Sequence, residues 1–474
     1  MTNPRADLLA RLQRPQRHRL LNGYPIAPLM LDTPRSMGFL DAHEHDVQRP
    51  LIIGVMPHTF CNPVKPGCGF CTFPHERYQA TQASAATRSV VREVETALRN
   101  VPSLRERAVP AVYLGGGTAN LGRPEDLEAL LNSLVRGFDL GRAEVTLEGV
   151  PLYFTLRAHA MLEVLGRIPC RQRRISMGVQ TLDPAWLARM GRTGFGDAAC
   201  IAGLVAEARR RGFTTSADLL YNLPGTAADH AIRDLDAAME MGFEQICVYN
   251  LVLSAGMPSA WARDRALLAA MPGNELACAT WMRVREHLLA HGFVQRTLTN
   301  FERAEVADTE RSFAYERLSF DPLRHDALGF GPGAISTLAF ANGPTVKWTN
   351  VATSGAYIER MSGEKSIDSP VEHHFIYDEE DRRLLALTRG FALGSIDGDA
   401  FSTALGITLE QAYGDLLDLL QDHGLIERPG AEQRYRLTPQ GMFHADAVVG
   451  FLSHRRIAAM AKVSQDAIGF HAHM

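Results

Sequence analysis

The sequence predicts an α/β protein built around a parallel sheet. Two observations support this prediction: short apolar runs alternate with helical segments between residues 50 and 253, and polar residues repeatedly follow the apolar runs. Alternation with these lengths is typical of strand–helix–strand units. Because the carboxyl ends of parallel strands share one face, we expect the polar residues at those ends to form the functional site.

The predicted strands form a regular series, and each ends near a glycine or a polar residue. They cover residues 50–56, 108–121, 143–151, 173–183, 213–226 and 244–253. Predicted helices between the strands include residues 84–101, 197–212 and 227–242. In the first of these helices, we expect Glu93 and Glu95 to face away from the apolar stripe.

Composition is that of an ordinary globular chain. Its 474 residues are 46% hydrophobic and 22% charged, with a formal net charge of −4. This balance does not favour a nucleic-acid or a membrane partner. The N-terminus lacks the apolar core of a secretory signal, and no apolar run has the length of about 18 residues that marks a membrane span. Seven cysteines, four of them scattered, indicate a reduced, cytoplasmic protein.

Three of the cysteines, Cys61, Cys68 and Cys71, lie close together in the segment HTFCNPVKPGCGFC. Glycine and proline keep this segment irregular, which allows three thiols to converge. One interpretation is a zinc site that takes His58 or His75 as its fourth ligand. The other, which we favour, is an iron–sulfur cluster that is held by three thiolates and leaves one iron open for a small molecule.

Six motifs in a fixed order resemble the radical S-adenosylmethionine (SAM) family. They are the three cysteines, YLGGGT, TLEGVP, RISMGVQTLDPAWLARMGR, ADLLYNLPGT and LGFGPGAIS. More narrowly, they resemble the branch that contains the oxygen-independent coproporphyrinogen III oxidase, class C radical SAM methyltransferases and cyclopropane-forming relatives. The resemblance covers roughly residues 50 to 363. It implies a partial (β/α)6 TIM-like barrel of the radical SAM type.

The resemblance also implies the chemistry. In this family a [4Fe-4S] cluster binds SAM through its open iron, and the reduced cluster cleaves SAM to a 5′-deoxyadenosyl radical that abstracts hydrogen from an inert carbon. An electron donor such as flavodoxin or ferredoxin and a small-molecule substrate are therefore expected partners. We expect the chain to be a monomer.

Residues for a first SAM molecule follow from the same resemblance. Gly116, Gly117 and Thr118 match the turn that meets its aminoacyl part, and Glu148 matches the carboxylate that holds it. Phe70 matches an aromatic residue beside it. Each also has an ordinary structural interpretation, as a tight turn, an ion pair or core packing.

The family's coproporphyrinogen enzyme holds a second SAM, and the matching positions here are Gln180, Arg192 and Asp218. Arg192 suits a carboxylate, and Asp218 suits a ribose or an ammonium group. Val252 and Ile335 match positions that line the adenosyl pockets, although core packing explains apolar residues there equally well.

Two features depart from the family pattern. Six residues separate Cys61 from Cys68, where the family has three. Val55 stands where the family has a tyrosine that serves the cofactor and the substrate in the coproporphyrinogen enzyme. The second departure weakens the prediction of porphyrinogen decarboxylation.

We therefore predict first a reaction that methylates or cyclopropanates an unactivated carbon of a small aromatic or heteroaromatic substrate, of the natural-product type, with two SAM molecules. Oxidative decarboxylation of a porphyrinogen and haem chaperoning without catalysis are the alternatives. After methylene addition, a proton must leave the substrate carbon. The candidate acid–base residues are His325, Asp326 and Tyr249.

The chain is predicted to have three regions: an N-terminal extension (1–49), the barrel with its own extension (50–363), and a mainly helical, winged-helix-like domain (364–474). In the last region we expect a helix over 371–391 and a hairpin over 427–441. Residues 378–436 hold 12 acidic and 6 basic residues. That balance disfavours DNA binding.

Overall fold

The computed structural model describes residues 3–16, 23–61, 68–362, 369–428 and 433–461. The strands of these ranges are β1 Leu31–Asp32, β2 Leu51–Val55, β3 Phe60–Cys61, β4 Glu76–Arg77, β5 Ala111–Leu114, β6 Glu144–Gly149, β7 Gln172–Gln180, β8 Thr214–Tyr221, β9 Gln245–Asn250, β10 Phe293–Gln295, β11 Asn300–Arg303, β12 Asp326–Phe330, β13 Ile335–Ala339, β14 Thr345–Asn350, β15 Val371–Tyr377, β16 Ser395–Asp397, β17 Ile426–Glu427 and β18 Arg434–Leu437.

The helices of the same ranges are α1 Pro4–Leu12, α2 Ala80–Asn100, α3 Pro124–Gly137, α4 Pro151–Gly166, α5 Pro184–Met190, α6 Ala198–Arg210, α7 Ala228–Glu240, α8 Arg265–Ala269, α9 Asn274–Ala290, α10 Ala304–Ala307, α11 Ala314–Ser319, α12 Ser354–Met361, α13 Glu379–Ala392, α14 Gly398–Leu405, α15 Leu409–Asp422, α16 Pro439–Phe443 and α17 Ala445–Ala461. None of these helices is long and apolar enough to cross a bilayer.

One large sheet organises the chain. Its thirteen strands follow the order β1-β15-β14-β13-β12-β2-β5-β6-β7-β8-β9-β11-β10. The seven central strands, from β12 to β9, are parallel to one another, and the flanking strands pair antiparallel. The predicted α/β class with a mainly parallel sheet is therefore confirmed.

Apolar helix faces pack on the sheet and fix its geometry. Val90 and Val94 of α2 are fully buried, as are Leu130 and Leu134 of α3, and all four belong to one core with Leu114 of β5. Their spacing of four residues places each pair on one face of its helix. This core holds the strands in place, so the carboxyl ends of β2 and β5 to β9 meet at one edge.

Two predictions about these elements are wrong. Glu93 does not face solvent: its carboxylate accepts hydrogen bonds from Tyr357 Oη at 2.5 Å, Asn350 Nδ2 at 2.9 Å and Gly331 N at 2.7 Å. Burial raises its pKa to about 7. The predicted helix over 371–391 is a strand in its first third, because β15 pairs with both β14 and β1.

The C-terminal part contains α13 to α15 and a small antiparallel sheet in the order β16-β18-β17. The predicted hairpin is present as β17 and β18, although its tip at 429–432 lies outside the described residues. The boundary predicted at 363/364 also lies outside them. Since β15 joins the large sheet beyond that point, the sheet continues past the predicted boundary.

Candidate functional site

The cysteine-bearing loop leaves the carboxyl end of β2 and packs on the turn after β5. Cys61 Sγ lies 3.0 Å from Thr118 Oγ1, and the Thr118 N–H donates to the Phe60 carbonyl at 3.0 Å. Burial, together with the thiols of Cys68 and Cys61, raises the pKa of the Cys71 thiol to about 11. The Cys61 thiol therefore lies against the turn after β5. The inserted residues at 62–67 lie outside the described part of the chain.

This set of thiols fits an iron–sulfur cluster better than a zinc ion. Within the described ranges, no group of three His, Cys, Asp or Glu ligand atoms lying within 4.8 Å of one another includes these cysteines, His58 or His75. Zinc holds each sulfur at about 2.3 Å, which places its thiolates roughly 4 Å apart.

The turn at residues 115–118 lies so close to neighbouring atoms that only glycine fits at positions 115 and 117. Gly117 has φ +55°, and a Cβ there would lie 2.8 Å from the carbonyl oxygens of both His58 and Phe60. A Cβ on Gly115 would lie 2.5 Å from Glu148 Oε2. The turn therefore fits directly between the cysteine-bearing loop and the end of β6.

Glu148 approaches this turn from β6. The Tyr113 hydroxyl donates to its Oε2 at 2.9 Å. Burial raises the pKa of Glu148. A carboxylate fixed in this way can receive an ammonium group of a ligand through charge-assisted hydrogen bonds.

Gln180 and Arg192 approach Gly178, whose register partner on β8 is Asp218. Gly178 pairs in register with Asp218, and an irregularity in β7 lies between Gly178 and Gln180. A Cβ on Gly178 would lie 3.0 Å from Gln180 Nε2 and 3.6 Å from Arg192 Nη2. Gln180 itself has φ +71°. The structure thus brings Gln180 and Arg192 together, with Asp218 on the adjacent strand.

Arg192 connects this group to the cysteine-bearing loop. Its Nη1 donates to Cys68 Sγ at 3.2 Å, and its Nη2 donates to the Gly178 carbonyl. The guanidinium carbon lies 4.8 Å from the centre of the Phe195 ring. Its Nε is buried and has no hydrogen-bond partner among the described residues. Arg192 therefore keeps one donor available for a ligand.

Asp218 lines a cavity of about 130 Å³ together with Tyr113, Arg174, Tyr249 and Glu316. Burial, reinforced by the charge of Glu148, raises the pKa of Asp218 to about 7. Tyr249 is 38% exposed. Among the three residues that the sequence predicts for acid–base work, Tyr249 is the one that lies beside Asp218.

His325 and Asp326 lie at the opposite edge of the sheet. Asp326 begins β12, where it pairs in register with Leu51, and its carboxylate accepts from Arg107 at 2.6 Å and Arg49 at 3.0 Å. The five residues of β12 separate this edge from the site by about 16 Å. Geometry does not support a role in catalysis for either residue. Asp326 instead forms ion pairs with two arginines.

The other predicted cofactor residues surround the site less closely. Phe70 packs edge-on against Trp261, with 5.9 Å between ring centres, and the backbone N–H of Trp261 donates to the Gly69 carbonyl at 2.9 Å. Val252 is half-buried just after β9. Ile335 begins β13 with 51% of its surface exposed.

Sequence reasoning missed Met56, whose side chain lies between two glycine turns. Its Cε is 2.6 Å from the position of a Cβ on Gly116, and its Sδ is 3.8 Å from that of a Cβ on Gly333. The sequence signal that could have identified Met56 is its position directly after β2, one residue beyond Val55.

A buried polar network at the start of the loop was also missed. The Ser354 N–H donates to Glu76 Oε2 at 2.8 Å, and the Thr59 hydroxyl donates to the same oxygen. Ser354 Oγ lies 2.7 Å from Thr59 Oγ1. No motif in the sequence links these three residues, because they are far apart along the chain.

Comparison with known proteins gives a consistent result. Residues 57–253 match the family model of the Radical SAM superfamily. The heme chaperone HemW of Mycobacterium tuberculosis is 28% identical over 392 residues, which cover 81% of this chain and 90% of that protein. Anaerobilin synthase of Escherichia coli O157:H7 is 30% identical over 194 residues, or 40% of this chain and 42% of that protein.

Among solved structures, the coproporphyrinogen III oxidase of Escherichia coli, a radical SAM enzyme, superposes with a TM-score of 0.71 at 19% identity. The superposition covers 91% of this chain and 96% of that one. Similarity at this level of identity shows a shared fold.

Proposed function

We infer that this chain, whose residues 57–253 match the family model of the Radical SAM superfamily, binds a [4Fe-4S] cluster through Cys61, Cys68 and Cys71 and cleaves SAM reductively. The observation that carries this inference is the packing of the Cys61 thiol against Thr118 in the glycine turn, which also approaches Glu148 through Gly115. One edge of the sheet thereby offers ligands for iron beside a carboxylate for an ammonium group. When bound, the cluster and SAM supply the electron transfer that generates a 5′-deoxyadenosyl radical.

The protein residues position the cofactor and exclude water. Glu148, held by Tyr113, accepts the ammonium group of SAM, and the glycine turn lets its aminoacyl part lie against the main chain. Phe70 and Trp261 form an apolar wall beside the cysteines, which keeps water away from a reactive radical. The electron comes from a small protein donor of the flavodoxin or ferredoxin type.

We further propose that Gln180, Arg192 and Asp218 bind a second SAM, and that the enzyme methylates or cyclopropanates an unactivated carbon of a small aromatic or heteroaromatic substrate. The free Nε of Arg192 suits a ligand carboxylate, and Asp218 suits an ammonium or a ribose. Arg192 also contacts Cys68, which keeps a ligand bound to Arg192 near the cysteine-bearing loop. Hydrogen abstraction requires the two carbons to lie about 3–4 Å apart.

Valine at position 55 favours this reaction over porphyrinogen decarboxylation, because the family's tyrosine is missing there. Tyr249 lines the cavity next to Asp218, and burial raises the pKa of its hydroxyl, which therefore keeps its own proton. It is our candidate to relay the proton that must leave the substrate carbon, by accepting it while passing its own proton on.

Methyl-deuterated SAM tests the second-cofactor proposal without knowledge of the substrate. The reduced protein is incubated with this SAM alone, and 5′-deoxyadenosine and S-adenosylhomocysteine are measured by mass spectrometry. Deuterium should appear in 5′-deoxyadenosine because the second SAM presents its methyl group to the radical. Asp218→Ala should reduce this deuterium incorporation by about tenfold or more and reduce total cleavage less.

Ser216→Ala is the matched control, because Ser216 lies two residues earlier on the same face of β8 and is fully buried. This variant should leave both deuterium incorporation and total SAM cleavage unchanged. With candidate substrates, release of carbon dioxide and an untouched methyl label would instead establish decarboxylation and refute methyl transfer.

A haem chaperone is the second candidate, and the similarity to the heme chaperone HemW favours it. Stoichiometric haem binding by a protein that makes no 5′-deoxyadenosine under reducing conditions would support this function. Cleavage of SAM with no haem binding would exclude it.

A further inference from the structure

A group of possible metal ligands lies outside the candidate site, between two helices. Asp236 is on α7, His287 is in the last turn of α9, and His291 follows that helix. Single ligand atoms of all three residues lie within 4.8 Å of one another. The His287 Nε2 and Asp236 Oδ1 atoms are 2.6 Å apart, and the two imidazole rings have centres 4.2 Å apart.

Spacing along α9 explains why the two histidines meet. Residues four apart lie on one face of a helix, one turn above the other. His291 Nδ1 lies 2.7 Å from the His287 carbonyl oxygen. A carbonyl can only accept, so this contact places the proton on Nδ1 and leaves the lone pair of Nε2 free to bind a metal.

An ordinary ion pair between His287 and Asp236 accounts for the first contact. It does not account for the second imidazole, which brings another basic nitrogen to the same point. Two imidazoles and one carboxylate are the ligands that zinc and neighbouring divalent metals prefer, and water completes a tetrahedral or octahedral shell at a surface. The side chains of His287 and Asp236 are 20% and 46% exposed, so water reaches the group.

We propose that Asp236, His287 and His291 form a site for a divalent transition metal of the zinc class, which ties α7 to α9. A second contact already joins the two helices, since Arg283 and Asp229 are 2.7 Å apart. Helix α7 follows β8, the strand that carries Asp218, and Trp281 of α9 stacks on Tyr221 at the end of that strand. A bound metal therefore braces the two helices behind one wall of the candidate site.

Zinc binding to the reconstituted holoprotein tests this proposal, because iron then occupies the cysteine thiolates. Equilibrium dialysis under anaerobic conditions, with zinc and iron measured together, should give one zinc per chain without loss of iron. His291→Ala and Asp236→Asn should each weaken zinc binding by about tenfold or more. Zinc should raise the melting temperature of the parent protein more than that of His291→Ala at the same zinc concentration.

His373→Ala is the matched control. His373 is also exposed beside two carboxylates, Asp32 at 3.4 Å and Glu372 at 3.8 Å, but it does not belong to a three-ligand group in the described part of the chain. The His373→Ala variant should bind zinc with the same affinity as the parent protein. Equal zinc affinity in the parent, His291→Ala and Asp236→Asn would overturn the proposal, as would an equal loss in the control. Iron content and melting temperature without zinc show whether each variant folds.

Discussion

Gly117→Ala is expected to disturb the cysteine-bearing loop through two separate effects. Gly117 has φ +55°, a left-handed conformation that costs alanine about 1–2 kcal/mol. Its new Cβ would also lie 2.8 Å from the carbonyl oxygens of His58 and Phe60, and these atoms belong to the backbone that leads into Cys61. Overpacking of this kind costs about 1–3 kcal/mol. The total expected loss of stability is therefore about 2–5 kcal/mol.

Gly212→Ala separates the two effects. Gly212 has φ +75°, and a Cβ added there would meet no neighbouring atom within 4 Å, so this variant should lose only the conformational part. Urea unfolding of both variants, followed by iron and sulfide analysis after anaerobic reconstitution, makes the comparison. Gly117→Ala should unfold at lower urea and hold less iron. If both variants unfold at the same urea concentration and hold full iron, the close approach of the turn to the loop is not what requires glycine.

Three further predictions concern single carboxylates. Glu148→Gln should weaken SAM binding about tenfold to a hundredfold, because the ammonium group loses its charged partner, while iron content measured in parallel stays constant. Asp218 has a pKa of about 7 in the folded chain and about 4 when unfolded, so the folded chain keeps this proton over a range in which the unfolded chain has lost it. Stability should therefore fall as the pH rises from about 4 to 7, and urea midpoints of Asp218→Asn should show a shallower fall; an unchanged slope would contradict the assignment. Asp326→Asn should lower stability by about 3–5 kcal/mol, since it leaves buried Arg107 without its counter-charge, whereas SAM affinity of the folded protein should stay within about threefold.

The strand series was predictable because each strand repeats one local pattern, an apolar run with a polar or glycine residue at its end. Asp326 shows where such local reasoning stops. It lies five residues before Gly331 in sequence, yet the strand between them carries the two residues to opposite edges of the sheet. The direction of the strand decides that Gly331, and not Asp326, lies at the edge that carries the site. Closeness in sequence does not reveal this direction.

Glu93 and residues 371–377 illustrate a second limit. Its charge predicts that Glu93 faces solvent, but Glu93 lies three residues after buried Val90, on the same helix face. Its partners Asn350 and Tyr357 come from about 260 residues further along the chain. Residues 371–377 resemble a helix locally and become a strand because β14 and β1 offer edges on both sides. Tertiary pairing overrides local preference in both cases.

Production of 5′-deoxyadenosine tests the central claim most directly. The reconstituted protein is reduced anaerobically with dithionite, given SAM, and assayed by mass spectrometry beside a variant in which Cys61, Cys68 and Cys71 are alanine. We predict 5′-deoxyadenosine from the parent protein and none above background from the variant, which should also lose its iron and sulfide. Full iron content in the variant, or a parent protein that carries its cluster and makes no 5′-deoxyadenosine under any reducing condition, would contradict the account.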